Sequence, residues 1–117
     1  MNVSVRKIAN YTVVDLAGDL NMTDAVSLEQ QLKKLVANGT SSMAVNFTLC
    51  TFMNSYTITI LVGLWRKITS LGGRLVAITG NPDIREIISV TGVDTMIKLY
   101  GAEKDFMQAL EAEENEK

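Results

Sequence analysis

Thr51-Phe52-Met53-Asn54-Ser55-Tyr56-Thr57-Ile58-Thr59 is the stretch from which the rest of the chain is read. A strand-like run, Met43-Ala44-Val45-Asn46-Phe47, leads into it through Thr48-Leu49-Cys50, and a long apolar helix follows it. Four side chains able to donate or accept a hydrogen bond, Asn54 to Thr57, stand at the start of that helix. The first turn of a helix carries backbone N–H groups without internal partners and the positive end of the dipole. A hydroxyl placed there is exposed, is favoured if it acquires negative charge, and is positioned to be read by a partner. Caps are common and switches rare, so capping by Asn54 or Ser55 is the first role to assign.

Downstream, Ile58, Ile60, Leu61, Val62, Leu64, Trp65, Ile68 and Leu71 occupy one helix. At about 100° per residue they cover a little over half its circumference. One sheet contact needs less, so part of this arc packs against a neighbouring helix or a partner, with Trp65 the interface candidate. Gly72-Gly73 ends the helix, and Arg74-Leu75-Val76-Ala77-Ile78 is a fourth strand. Asn81-Pro82-Asp83 starts a short helix with Ile84, Ile87 and Ile88 inward and Gly92 at its exit. Met96-Ile97-Lys98-Leu99-Tyr100 reads as a fifth strand. Ala102 to Glu113 forms a last amphipathic helix with Phe106, Met107 and Leu110 inward, and its acidic end, Glu111 to Lys117, is expected to fray.

Upstream, Val3-Ser4-Val5 and Tyr11-Thr12-Val13-Val14-Asp15-Leu16 flank a tight turn at Ala9-Asn10, the pattern of an antiparallel hairpin. Gly18 to Asp24 is expected as a loop ending in a helix start, capped by Asn21 or Thr23. Ala25, Leu28, Leu32, Leu35 and Val36 then recur at helical spacing, and Asn38-Gly39 closes that helix. The expected fold is therefore α/β, a single domain over 1–117. Its mixed, mostly parallel sheet has about five strands beginning with the antiparallel hairpin, and it carries about four α-helices.

Composition narrows the function. A chain of 117 residues, 47% hydrophobic and 21% charged, suits one soluble core. Net charge is −2 with no Lys/Arg cluster, which argues against a nucleic-acid partner. The absence of histidine excludes imidazole acid–base steps and His-ligated zinc. Cys50, the single cysteine, builds neither a disulfide within the chain nor a thiolate metal site, and its apolar run predicts a buried, inert thiol. No P-loop or dinucleotide fingerprint occurs, and Asp15 and Asp19 are expected as solvated residues beside a strand end. No enzyme activity, cofactor or metal is predicted. No apolar stretch has membrane-spanning length and the first residues lack a signal-peptide core, so a cytoplasmic protein without direct membrane insertion is expected.

Gly18-Asp19-Leu20-Asn21, Phe52-Met53-Asn54-Ser55, Gly72-Gly73, Asn81-Pro82 and Gly92 fall in the order and spacing of the STAS domain. The chain resembles, almost end to end, the small free-standing bacterial STAS proteins, the anti-sigma factor antagonists. That resemblance implies a STAS-like α/β domain that works by partner switching. Such a domain binds an anti-sigma factor, often a serine kinase of the histidine-kinase-like ATPase type, and so releases the sigma factor. The kinase phosphorylates the antagonist and ends the interaction, and a phosphatase reverses this. The partner-binding residues implied here are Asp19, Asn21, Met22, Thr23, Asn54, Ser55, Tyr56 and Thr57.

The family pattern at the helix start is Asp-Ser-Ser or Asp-Ser-Thr, then Gly and an aliphatic residue. Here Asn54 replaces the acid, Tyr56 occupies the usual phospho-acceptor position and Thr57 takes the glycine's place. A phenol oxygen lies much further from the backbone than a serine hydroxyl, so Tyr56 is expected to disable the family's phosphorylation. Ser55 and Thr57 are the substitute acceptors, with Ser55 retained as a cap. The knot from Asn54 to Thr57 is expected at the surface beside the Gly18–Thr23 loop. The alternative function implied is an accessory STAS subunit of a transport complex or of a larger stress-signalling assembly.

Overall fold

The structure, a computed structural model, describes residues 1–115 and the side chains of 1–113. β-Branched and aromatic residues shape the first two runs into β1 (Asn2–Ile8) and β2 (Tyr11–Leu20). They pair antiparallel from Asn2–Ala17 to Ile8–Tyr11. Ala9 closes the turn between them at φ 53°, a left-handed value uncommon outside glycine. From β2 the chain alternates helix and strand: α1 (Met22–Ala37), β3 (Met43–Met53), α2 (Ser55–Ser70), β4 (Leu75–Ile78), α3 (Pro82–Val90), β5 (Lys98–Tyr100) and α4 (Glu103–Asn115). The strands lie in sequence order, and β2 to β5 are parallel.

Both faces of the sheet are covered, and strand alternation sorts the side chains between them. Val14, Leu16, Val45, Phe47 and Ala77 meet α1, α2 and α3 on one face. Tyr11, Val13, Ala44, Val76 and Ile78 meet Phe106 of α4 on the other. β4 is buried at every residue, as a central parallel strand should be. The wide apolar arc of α2 divides between the sheet and α1, and Trp65 is half-buried against the same core. α2 ends in a Schellman turn: Gly72 N–H bonds Thr69 O and Gly73 N–H bonds Ile68 O, both at 3.0 Å, with Gly72 at φ 79°.

Several expectations need correction. β2 continues to Leu20 and β3 to Met53, so Gly18 to Leu20 are strand and not loop. The two strands keep pairing past the end of β4 because bulges after Asp15 and Gly18 reset their register. Asp15 is consequently a mid-strand residue, held by Arg6 Nε at 2.6 Å and by Asn46 Nδ2 at 2.8 Å. Arg6 also pairs with Glu103, tying β1 to α4. β5 starts only at Lys98, since a 3₁₀ turn at Val93–Thr95 takes up the preceding chain. Met107 is 42% exposed, because Phe106 and Leu110, four residues apart, define the inward face of α4. Helix α4 runs on through the first part of the acidic end, while Glu116 and Lys117 lie outside the described residues.

Gly73 is constrained by space. A Cβ built there would sit 1.4 Å from the backbone oxygen of Ser41. Gly73→Ala is expected to cost about 1–3 kcal/mol in urea unfolding, the range for forced overpacking. A second expectation concerns Asp15, whose carboxyl lies below its ordinary value of 3.8, first because Arg6 donates to it. A carboxylate with a depressed folded pKa adds stability above its unfolded pKa, and that stability is lost as pH falls through the folded value. Asp15→Asn should therefore lower stability at pH 7 by up to about 1 kcal/mol. The deficit should shrink as unfolding is measured below about pH 4.

Candidate partner-binding site

The carboxyl ends of parallel strands are where α/β proteins carry their binding loops, since the helices that follow begin there. Register brings two such ends together: Asp19 pairs with Phe52 and Leu20 with Met53. The residues that follow, Asn21 to Thr23 and Asn54 to Thr57, start α1 and α2 side by side. All eight candidate residues thus gather at one end of the sheet. Asn21 is the cap of α1, its Oδ1 accepting from Asp24 N–H at 3.0 Å. Asn54 is the cap of α2, accepting from Thr57 N–H at 3.1 Å. Of the paired alternatives, then, Asn21 and Asn54 cap, while Thr23 and Ser55 stand exposed in the first turns.

The four residues of the knot differ in what they offer. Ser55 is exposed and Asn54 half-buried. Thr57 is 0% exposed, which corrects the expectation of a wholly superficial knot; its hydroxyl donates to Asn54 Oδ1 at 3.3 Å. Tyr56 leans away from its own helix start, and its phenol donates to Glu29 Oε1 on α1 at 2.9 Å. That bond to a carboxylate is the first cause of a phenol pKa raised above its ordinary value, so the ring is neutral at physiological pH. Around these groups Met22 and Phe52 expose more than half of their surface. A partly apolar, partly hydrogen-bonding face of this kind suits a protein contact.

Some neighbours of these residues were not among the candidates. Glu29 is distant in the chain and joins the site only because α1 and α2 pack together. Phe52 reads as a strand residue, and its exposure follows from the bulged pairing of β3. Thr51 donates its hydroxyl to Asp19, linking the ends of β3 and β2. Cys50 is buried beneath them, its thiol pushed up to about 11 by burial first and Asp19 second. Asn81, the cap of α3, also donates to Cys50 O at 3.3 Å, which ties a third helix start to β3. Among the described residues no helix is long and apolar enough to cross a membrane.

The fold has close counterparts among solved structures. An anti-sigma factor antagonist from Mycobacterium paratuberculosis superposes with a TM-score of 0.83 at 25% identity, over 92% of each chain. An anti-sigma-factor antagonist (STAS) domain protein from Planctomyces limnophilus matches with a TM-score of 0.80 at 19% identity, over 92% of this chain and 95% of that one. The Bacillus cell fate determinant SpoIIAA in its phosphorylated form matches with a TM-score of 0.72 at 16% identity, over 92% of this chain and 99% of that one. The family model for the STAS domain matches residues 2–106. This chain belongs to the STAS domain family.

Proposed function

We propose that residues 1–117 form one STAS module that acts in the cytoplasm as an anti-sigma factor antagonist-like binding module. It works by protein–protein partner switching and not by catalysis, through Asp19, Asn21, Met22, Thr23 and the Asn54–Tyr56 turn. The partner is an anti-sigma factor, a serine kinase of the histidine-kinase-like ATPase type, and neither nucleic acid nor membrane insertion is involved. The observation that carries the proposal is the state of the helix start in a chain of this family. Tyr56, at the position where the family resemblance puts the acceptor, is a neutral ring hydrogen-bonded to Glu29. Ser55 is the exposed hydroxyl of the knot, while Thr57 is buried.

The phosphorylation motif is therefore degenerate, and the module's affinity is set by shape. A phosphate at a helix start would gain only about 0.3–1 kcal/mol from the dipole. Its switching effect in such a domain has to come from conflict with the partner. Tyr56 brings bulk without charge, favouring a partner with a pocket for an aromatic ring over one shaped for serine.

The test incubates the protein with its captured kinase and ATP and locates phosphate by mass spectrometry. No phosphate on the wild type, with phosphate gained at position 56 in Tyr56→Ser, is the expected outcome. Stoichiometric phosphate on Ser55 that weakens partner binding would show that the switch is intact. Capture of a transport-complex subunit in place of a kinase would move the protein to the accessory-subunit function.

A further inference from the structure

Helix α4 is the most lightly held of the four α-helices. α1 buries four residues, α2 six and the nine-residue α3 two. Among the described side chains of α4, Phe106 alone is buried, with Glu103, Ala109 and Leu110 half-buried. Phe106 sits between two tyrosines, its ring centroid 5.1 Å from that of Tyr11 at 82° and 5.6 Å from that of Tyr100. Two ion pairs add to this anchor, one toward each end: Glu103 with Arg6 of β1, and Glu113 with Arg74, just before β4, at 2.7 Å. Both are exposed, where such pairs are weak and are screened by salt.

Alone, α4 is a poor helix. Its 13 residues are about the length at which isolated helices are marginal in water. Glu111, Glu113 and Glu114 stand toward its C-terminal end, with no basic residue in the last turn, against the dipole. Undocking and melting of α4 are therefore one event. The sheet has a larger support of its own: Val14, Leu16, Val45, Phe47 and Ala77 pack with α1, α2 and α3 on the opposite face. Gly101, exposed between β5 and α4, gives the chain a place to turn.

We propose that α4 is a latch that leaves the sheet as one unit while β1 to β5 and α1 to α3 stay folded. Its departure bares Tyr11, Val13, Ala44, Val76 and Ile78, an apolar face that the closed latch covers. Phe106 sets how often the latch opens, and the two ion pairs make the opening sensitive to ionic strength. The inference stands on the packing of α4 and is independent of the partner proposed above.

The test is native-state hydrogen exchange of the full chain, followed by mass spectrometry at low urea. Amides of α4 should exchange together, about a hundredfold or more faster than those of β4. Their urea dependence should also be weaker, since opening the latch exposes less surface than global unfolding. Phe106→Ala should speed exchange of α4 about a hundredfold or more, the loss of one buried ring. Arg74→Gln, and 1 M NaCl on the wild type, should speed it by up to about fivefold. Ile68→Val separates the latch from the core, because Ile68 is buried on the other face of the sheet. It should speed β4 by about two- to tenfold and leave α4 unchanged. One rate and one urea dependence for α4 and β4, or an equal acceleration of both by Ile68→Val, makes α4 part of the global unit and overturns the proposal. Exchange of α4 that neither Arg74→Gln nor 1 M NaCl alters overturns it as well, since the ion pairs then hold nothing.

Discussion

The parallel pairing of β2 with β3 is the interaction on which the other features depend. It begins at Thr12–Met43 in the buried centre and runs to Leu20–Met53, beyond the reach of β4. Along this extension bulges after Asp15 and Gly18 reset the register of the pair. With them, the starts of α1 and α2 lie together. The face made by Asn21–Thr23 and Asn54–Tyr56 is thus a consequence of strand register.

The knot at the start of α2 shows how polarity is reconciled with burial. Thr57 stands where the family resemblance puts a glycine, and the fold buries it completely. A buried hydroxyl without a partner would cost about 1–3 kcal/mol. Asn54 removes that cost by accepting both the N–H and the hydroxyl of Thr57 through one oxygen. The asparagine and the threonine are therefore one unit, a cap that satisfies itself. The helix dipole does not require a charged residue there, since a neutral Asn caps as well as Asp.

The fold was legible where periodicity was strong. Helices α1 and α2, buried β4 and the opening hairpin follow from spacing alone, because one face of each element must be apolar. Caps were legible to within two residues: Asn21 against Thr23, and Asn54 against Ser55. The ends of β2 and β3 were not, because Gly18 reads as a loop residue and the run from Thr48 to Met53 lacks the two-residue alternation that marks a strand. Asp15 was misplaced for the same reason, its cross-strand Arg6 being invisible without register. At the site, the residues of the two helix starts could be named from the sequence, but Glu29 and the side-chain orientations could not. That Tyr56 reaches Glu29 while Thr57 turns inward depends on the packing of α1 against α2, which no local pattern encodes.

The Tyr56–Glu29 bond bears on how such a surface binds. An exposed aromatic ring free to rotate would lose rotamer freedom on docking, at about 0.5–1.5 kcal/mol for a flexible side chain. Tethering the phenol to α1 already removes part of that freedom in the isolated domain. The same tether joins the first turn of α2 to the second turn of α1, so the two helix starts present one surface. The ring is neutral at physiological pH and its hydroxyl is already engaged. A serine that gains a phosphate gives a surface two charge states, whereas a tyrosine tethered to Glu29 presents one neutral state.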